Sequence, residues 1–432
     1  MIALKEMIKL NYSKCGFSKA EIAKTAKKLV PRIKQLQAVF KKQDFSDNAA
    51  SIILPKDREN LEAVKTLAKE FKDAELIVVV GIGGSNLGTV AIYEAVKGKL
   101  YNLRRDVVRL MFADTVDSDS VELISQAIRY YLARGRKVLI DAISKSGMTT
   151  ETIANFQIFL KTVQSVSPQR YKDFIAITTD EGSELDDLAK KMDFKTIHIP
   201  KQVGGRYSAF SSVGLLPLAV AGIDIEQLLK GAADAVKSCL NTNVMNNPAA
   251  IIASLMQLHS KNNRNVHDHF VWSNDLESVG KWYRQLLGES IGKKKTVGIT
   301  PTVSVGSTDL HSVGQLYLGG PDDKFYRFVT VNKSRNNVAV PKEAFFDRLV
   351  KGIQGKSLDE LMWAIIEGVK KSFIKKRLPF IEINLPDKSA YHIGQLLQTE
   401  MMEVMLLGYL LDVNPFNQPN VEDYKKETRK LL

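Results

Sequence analysis

The stretch VVVGIGGSNLGTVAIYEAV, residues 78–96, joins a β-branched apolar run to a cluster of glycines and then to a pattern with helical spacing. This order predicts a buried strand, a tight turn and an amphipathic helix. Backbone N–H groups at the start of such a helix bind anions, phosphate above all. The stretch therefore predicts one unit of a parallel α/β sheet with a phosphate-binding turn.

The glycine turn fails to match either of the two common nucleotide-binding loops. Gly81 and Gly83 fit the dinucleotide fingerprint GxGxxG, but Asn86 occupies the position of its third glycine. Gly83 also begins a spacing like that of a P-loop, but Thr89 stands where that loop needs a lysine. What remains is a nest of N–H groups with the Ser85 hydroxyl, which suits a phosphate monoester or sugar hydroxyls. A tight turn without any ligand is the alternative.

Short β-branched runs recur along the chain, separated by longer amphipathic segments. The runs are 76–80, 108–113, 137–144, 174–179 and 195–200 in the first half, and 266–272, 296–303, 324–331 and 380–385 in the second. Short strands that alternate with helices predict βαβ units and parallel sheets. We therefore predict an α/β fold with two doubly wound, mainly parallel sheets and extra helices at both termini.

The polar segment TNVMNNPA, residues 242–249, is the candidate boundary between the two halves of this fold. We expect residues 1–50 to form an N-terminal helical segment that packs on the large domain, 51–242 a first domain, and 243–432 a second domain with a C-terminal helical segment. Within the first segment, Ser18 and Glu21 have the spacing of a capping box, and Pro31 is expected to kink or split the helix.

Charge and cysteine content narrow the class of protein. The net charge is +13, but Lys and Arg are scattered beside Glu and Asp and no nucleic-acid motif occurs, so we expect anionic small molecules rather than nucleic acid as partners. The longest apolar stretch is about half of a membrane span, and the N-terminus lacks a secretory signal pattern. Cys15 and Cys239 are the only cysteines. A cytoplasmic location, with neither membrane nor disulfide framework, is the expectation.

Two further loops carry polar groups to the same predicted sheet edge. DAISKSGMTTET (141–152) follows a strand and offers Ser144, Lys145, Ser146 and Thr149. Since the carboxyl ends of parallel strands share one edge, these hydroxyls could hold a phosphate without metal or nucleotide. In KQVGGRYSAFSSVG (201–214), paired glycines permit close backbone approach and Arg206 supplies a permanent cation. The alternative for Arg206 is an ion pair with a surface carboxylate.

These loops, together with three downstream motifs, resemble the glucose-6-phosphate isomerase family. The motifs are WYRQLLGESIGK (282–293), STDLHSVGQ (307–315) and NPFNQPNVEDYK (414–425), in the family's order and across nearly the whole chain. The resemblance implies two flavodoxin-like sugar-phosphate-binding (SIS-type) domains and reversible aldose–ketose isomerisation in glycolysis and gluconeogenesis. It also implies no metal and no organic cofactor, and a homodimer in which the histidine loop reaches the partner's site.

The resemblance also assigns roles to individual residues. Glu289 is the expected proton shuttle between C2 and C1, Arg206 the cation beside the enediolate, and His311 with Lys425 the pair that opens the sugar ring. The expected substrate-binding residues are Gly84, Ser85, Ser144, Lys145 through its backbone, Ser146, Thr149, Gln285 and Gln418.

The chemistry of isomerisation explains these residue types. A carboxylate can take a proton and return it, and Gln285 and Glu289, four residues apart on a helix, share one face. An arginine stabilises the enediolate without giving up a proton. Without the resemblance, Glu289 would be a solvated helix residue, His311 a loop residue and Lys425 a charged-tail lysine.

Other interpretations stay open on the sequence. The family's usual residues are replaced at Met148, Lys201 and Asn420, and we expect changes in rate or affinity from these. A non-catalytic sugar-phosphate sensor and an enzyme that also isomerises mannose 6-phosphate are the rival functions. His267 and His269 in the HDH triplet could face one side of a strand as metal ligands, but no third ligand is evident and we expect structural roles.

Overall fold

A computed structural model describes residues 7–432; the first six residues of the predicted N-terminal segment lie outside it. The strands are β1 Lys9–Asn11, β2 Ala74–Val80, β3 Arg109–Ala113, β4 Lys137–Ile143, β5 Ile175–Thr179, β6 Lys195–His198, β7 Val266–Val271, β8 Thr300–Val305, β9 Lys324–Val331 and β10 Phe380–Leu385. The helices are α1 Lys19–Ala26, α2 Val30–Lys42, α3 Arg58–Glu70, α4 Leu87–Lys97, α5 Ser118–Leu132, α6 Thr150–Val166, α7 Glu184–Met192, α8 Ser212–Val220, α9 Ile225–Cys239, α10 Pro248–Lys261, α11 Glu277–Ile291, α12 Gly314–Gly319, α13 Leu358–Lys376, α14 Ala390–Leu410 and α15 Glu422–Leu431.

The first sheet has the order β3-β2-β4-β5-β6, and every pair in it is parallel. Successive residues of β2 pack on opposite sides, with Ile77 and Val79 in the central core and Val78 and Val80 under the outer helices. Because both faces are covered, the strand is apolar without alternation. The predicted doubly wound α/β fold is confirmed for this half.

The second sheet has the order β1-β10-β9-β7-β8. It is parallel except for β1, which pairs antiparallel with β10. β1 is not predictable from the sequence, because three residues are too few to show an alternating pattern. β8 begins at Thr300 rather than at residue 296, since a turn closed by the Val297 N–H to the Lys294 carbonyl precedes it.

Helices fill the space between the two sheets and join them through one core. α14 lies in this layer, where it packs on α9, α10 and α11, and nearly all of its residues are buried. A helix buried on all sides must also satisfy its polar side chains, and here Glu400 and Glu403 pair with Arg327 of β9. Within residues 7–432, no helix is long and apolar enough to cross a membrane.

The N-terminal helices form as the local sequence predicts. Ser18 caps α1, and its backbone N–H in turn donates to Glu21, which completes the capping box. A 3₁₀ turn, Lys27–Leu29, separates α1 from α2, and Pro31 occupies the first turn of α2. Proline is tolerated there because the first N–H groups of a helix have no intrahelical acceptor. The expected split at Pro31 is confirmed.

The order of the first sheet defines where a ligand can bind. β2 is the first strand of this sheet in the chain; β3 lies on one side of it and β4 on the other. Between β2 and β4 the helical connections diverge to opposite faces, which leaves a crevice beyond the carboxyl ends of these strands. The loops after β2 and β4 are the glycine turn and the 144–149 hydroxyl loop.

Candidate functional site

The glycine turn comes into close contact with two other segments. Gly83 has a φ of +61°, and a Cβ on it would lie 2.9 Å from Gln285 Nε2 on α11. A Cβ on Gly84 would lie 2.2 Å from the carbonyl carbon of Gly205 and 2.6 Å from the Arg206 backbone nitrogen. Only glycine allows approaches this close. The turn thus brings together the β2 edge, the 204–207 segment and α11.

Asn86 and Thr89, the residues that break the nucleotide fingerprints, both have structural partners. Asn86 is buried and donates from Nδ2 to Asp114 at 3.2 Å. Thr89 is also buried, and its hydroxyl donates to the Val213 carbonyl at 3.4 Å. These contacts tie the start of α4 to the segment after β3 and to α8, so both residues have structural roles.

The 144–149 loop presents hydroxyls at the N-terminus of α6. The Ser144 and Thr149 hydroxyls lie 3.0 Å apart, and Ser146 Oγ accepts the Met148 N–H at 3.3 Å. Thr149 precedes α6 but its side chain does not cap the helix. Its hydroxyl is therefore available to a ligand, beside free helix N–H groups that attract an anion. Met148 itself is exposed, and nothing in the structure explains its choice.

The Lys145 ammonium links this loop to the 201–203 segment. It donates to the carbonyls of Lys201 at 2.5 Å and Val203 at 3.0 Å. Burial lowers the pKa of Lys145, and nearby Asp180 opposes that change. The lysine side chain is thus used to hold the loop, which leaves its backbone as the potential ligand group.

Arg206 is buried, and all five of its N–H donors are used. Nε donates to Ser290 Oγ at 2.8 Å, and Nη2 donates to the carbonyls of Pro415 at 2.6 Å and Asn417 at 3.1 Å. Nη1 donates to Glu289 Oε2 at 3.3 Å and to Gln418 Oε1. The guanidinium therefore joins the 3₁₀ turn Gly205–Tyr207 to α11 and to the 414–418 loop. The surface ion pair considered for Arg206 is not what is observed.

Glu289 lies beside this guanidinium with its carboxylate open on one side. Its side chain is 32% exposed, and Oε1 accepts from Gln285 Nε2 at 3.1 Å. The other amide atom, Gln285 Oε1, is buried and has no hydrogen-bond partner within residues 7–432. A buried acceptor without a donor is costly, so this atom suits a ligand hydroxyl.

Two residues near the site were not singled out from the sequence. Ser290 is buried, and its hydroxyl accepts from Arg206 and lies 3.1 Å from the Tyr207 hydroxyl. Lys293 donates to the Glu289 carbonyl at 2.5 Å and to the Asn417 carbonyl. Their position within four residues of Glu289 was the only signal available, and a serine or lysine near a helix end is common.

His311 and Lys425 do not join the cluster around Glu289 within one chain. His311 is exposed at the end of the 3₁₀ turn Thr308–His311. Lys425 pairs with Glu422 at 2.8 Å on α15. Among residues 7–432, no hydrogen bond or ion pair connects either side chain to Glu289 or Arg206. Asn420 is likewise exposed, near Lys425 in the C-terminal segment.

The HDH triplet lies inside the second sheet. His267 is packed edge-on against Phe325, and His269 Nε2 lies 2.7 Å from Glu400. Over residues 7–432, no group of three or more His, Cys, Asp or Glu side chains is arranged to hold a metal ion. The two histidines belong to the core, as expected.

The chain is similar to known proteins over most of its length. A family model described as phosphoglucose isomerase matches residues 48–432. A glucose-6-phosphate isomerase from Carboxydothermus hydrogenoformans is 34% identical over 387 residues, which cover 87% of this chain and 82% of that protein. Another from Rubrobacter xylanophilus is 35% identical, with 87% of each chain covered.

Solved structures share the fold along the full length. A hypothetical protein from Thermus thermophilus superimposes with a TM-score of 0.87 at 31% identity, covering 98% of this chain and 99% of that one. A glucose-6-phosphate isomerase from Chlamydia trachomatis superimposes with a TM-score of 0.81 at 20% identity, covering 98% and 88%. At 20% identity, the match to the Chlamydia trachomatis protein indicates a shared fold and nothing more.

Proposed function

This chain belongs to the phosphoglucose isomerase family, and from that premise we propose that it interconverts glucose 6-phosphate and fructose 6-phosphate through a cis-enediol(ate). The observation that carries the proposal is the contact between the half-open Glu289 carboxylate and the buried Arg206, 3.3 Å apart. A proton-accepting group next to a permanent cation is what proton abstraction beside a carbonyl requires. The reaction is a step of glycolysis and gluconeogenesis.

The substrate phosphate binds at the N-terminus of α6. Ser144, Ser146 and Thr149 supply hydroxyls, the Lys145 backbone adds an N–H, and Ser85 closes the near side with Gly84. Support comes from the uncapped Thr149 hydroxyl at 3.0 Å from Ser144. A phosphate dianion gains both from these donors and from the helix dipole.

Glu289 moves the proton between the two carbons of the open-chain sugar. Its carboxylate removes the proton from C2 of the aldose, the electron pair forms the C1–C2 double bond, and the carbonyl oxygen becomes the enediolate oxygen. The proton of the C2 hydroxyl passes to the C1 oxygen, Glu289 returns its own proton to C1, and the C2 oxygen becomes the carbonyl of the ketose. Since the group ends in its starting state, no external acid or redox cofactor is consumed.

Arg206 stabilises the negative charge on the enediolate oxygen. Its Nη1 edge, which now donates to Glu289 and Gln418, is the edge open to exchange, because the Nε and Nη2 edges are held by Ser290 and by backbone carbonyls. A substrate oxygen can replace the Gln418 oxygen there, and the released amide can then bind a sugar hydroxyl. Gln285 Oε1, which lacks a donor within residues 7–432, accepts from another hydroxyl.

Ring opening and assembly are proposed together. His311 moves a proton to the ring oxygen with help from Lys425, and because His311 is exposed and away from Glu289, it acts on the site of a second subunit.

An exposed apolar stretch around Phe345 and Leu349, which are 68% and 76% exposed, supports a homodimer that covers it. The unpaired, buried Cys15 and Cys239 are consistent with a cytoplasmic protein.

The deciding experiment supplies purified protein with fructose 6-phosphate and measures glucose 6-phosphate with a coupled dehydrogenase. We expect turnover that EDTA does not diminish, because the residues proposed for every step are side chains of this chain. The matched control is Glu289→Gln, which keeps the contact to Arg206 but cannot carry the proton. Absence of turnover by the folded wild-type protein would refute the proposed function.

A further inference from the structure

Lys293 lies two residues beyond the end of α11, the helix that carries Glu289. Its Nζ donates to the Glu289 backbone carbonyl at 2.5 Å and to the carbonyl of Asn417. The second bond crosses from the catalytic helix to the loop 414–418. Lys293 is therefore the link between the helix end and the loop that carries Gln418.

The Asn417 carbonyl accepts hydrogen bonds from two cationic side chains that lie in different segments. Arg206 Nη2 donates to it at 3.1 Å, and Lys293 donates to it from the opposite segment. Within residues 7–432, the neighbouring Pro415 carbonyl accepts hydrogen bonds from the Arg206 guanidinium and the Tyr207 hydroxyl and from no lysine. Without Lys293, the loop would be attached to Arg206 but not to α11 at this point.

We propose that Lys293 is a positioning residue for the isomerisation, whose ammonium holds the 414–418 loop against α11 so that Gln418 and Arg206 keep the geometry needed at the substrate oxygens. This inference rests on the proposed function. Lys293 touches no reacting atom; it acts through the Asn417 carbonyl on Gln418, whose Oε1 meets Arg206.

The charges around Lys293 make this link sensitive to pH. Burial, followed by the Arg206 charge, lowers the pKa of Lys293 to about 8, while Glu289 opposes the change. Of the adjoining charged groups, Lys294 and Asp412 face each other and the solvent, 3.8 Å apart. Above that pKa the ammonium becomes an amine, and hydrogen bonds from a neutral donor are roughly half as strong. The loop is therefore held less firmly in alkaline solution.

The test compares Lys293→Met and Lys293→Arg with Lys295→Met, an exposed lysine with no such contacts within residues 7–432. We expect Lys293→Met to lower kcat by about 10-fold at pH 7, the order of a lost charge-assisted hydrogen bond. KM should change by less than about 3-fold, because the phosphate loop is not touched. The wild-type kcat should fall as pH rises through about 8, and Lys293→Arg should lack this fall because guanidinium stays charged.

Two measurements separate positioning from general stability. Hydrogen exchange of residues 411–418 should speed up in Lys293→Met at pH 7 and in the wild type at pH 9, and remain slow in Lys295→Met. In a double-mutant cycle, Lys293→Met with Gln418→Ala should lose less than the product of the two single effects, because both act on one contact.

The outcomes distinguish failure of the positioning role of Lys293 from failure of the proposed isomerase function. A kcat of Lys293→Met within twofold of the Lys295→Met value, or identical pH profiles for wild type and Lys293→Met, would overturn the positioning role alone. Absence of isomerase turnover in the wild type would overturn the proposed function and this role with it.

Discussion

The turn at Gly84 lies very close to the turn at Gly205, and we therefore predict that any side chain at position 84 is harmful. In Gly84→Ala the new Cβ would lie 2.2 Å from the Gly205 carbonyl carbon and 2.6 Å from the Arg206 backbone nitrogen. Both are backbone atoms, so no side chain can rotate away. Ordinary van der Waals contact begins at 3.4 Å, and the two turns must therefore separate by about 1 Å.

The displaced segment carries Arg206, whose contact with Glu289 is 3.3 Å long. This contact is already near the upper limit for a hydrogen bond, so a backbone displacement of about 1 Å disturbs it, and misplacement on this scale can cost about 10²-fold in rate. Overpacking of this kind also destabilises a core by about 1–3 kcal/mol. We expect a folded protein with a lowered melting temperature and a kcat reduced by about 10²-fold.

The assay is the coupled fructose 6-phosphate assay together with a thermal unfolding curve for each variant. Gly205→Ala is the matched control at the same contact, because its Cβ would meet its nearest neighbour, the Gly84 Cα, at an ordinary 3.5 Å. It should cost less than about 1 kcal/mol. A wild-type kcat and melting temperature in Gly84→Ala would refute the steric argument. Equal losses of kcat and stability in Gly84→Ala and Gly205→Ala would show that the difference between the two Cβ distances does not matter.

Four further substitutions probe the proton shuttle, the phosphate site and a buried acid. Glu289→Gln should lower kcat by about 10²-fold or more while fructose 6-phosphate still binds; near-normal turnover would remove Glu289 from the mechanism. Ser144→Ala and Thr149→Ala should each weaken substrate binding by about 10-fold, as expected for one hydrogen bond to a charged group; unchanged affinity, measured by calorimetry on the Glu289→Gln background, would place the phosphate elsewhere. Burial raises the pKa of Asp141 from 3.8 to about 7. The folded state then holds a proton that the unfolded state releases, so stability is full below about pH 4 and falls as pH rises towards 7. Asp141→Asn keeps an oxygen for the Thr178 hydroxyl and removes this loss, so it should stabilise the protein by up to about 4 kcal/mol more at pH 8 than at pH 4; denaturant curves with a pH-independent difference would contradict this.

The sequence predicts the framework of the site well, because the relevant signals are local. The run at 76–80 is buried on both faces and β-branched, and the structure has it as part of β2. The glycine turn is also where the pattern predicts it, but its glycines serve a purpose that no local pattern shows. They admit Gln285 and Gly205, which are distant in the chain. The local pattern predicts a phosphate-binding turn, but it does not show that the same glycines also admit these two distant segments.

Residues missed from the sequence act through contacts that only the folded chain creates. Ser290 follows Glu289 directly, yet its importance depends on the Arg206 Nε that meets it at 2.8 Å from a segment more than eighty residues earlier. β1 was missed because its pairing partner, β10, lies near the other end of the chain. His311 and Lys425 rest on the family resemblance alone, since a single chain leaves them apart from Glu289.

The position of Glu289 is also fixed from behind α11. Tyr283, on the same helix, donates to Glu403 at 2.7 Å, and the buried Arg327 lies between Glu403 and Glu400. Burial raises the pKa of Glu403 to about 7, against the opposing effect of Arg327. Such a buried charged network adds little net stability, because removing charges from water costs about as much as their attraction returns.

The network can instead restrict the orientation of α11, because hydrogen bonds depend on angle. Apolar side chains alone, such as Leu286 and Leu287, would allow α11 to rotate or slide between alternative packings of similar energy, since hydrophobic contacts have no preferred angle. The hydrogen bond that the Tyr283 hydroxyl donates to Glu403 tolerates only a narrow range of positions. At the front of the same helix, Glu289 must stay within hydrogen-bonding distance of Arg206, where errors of about 1 Å matter. The Tyr283–Glu403 hydrogen bond on one face of α11 and the Arg206 contact near its C-terminal end act together. They fix the rotation of the helix about its axis and its position along that axis, and so the position of the Glu289 carboxylate.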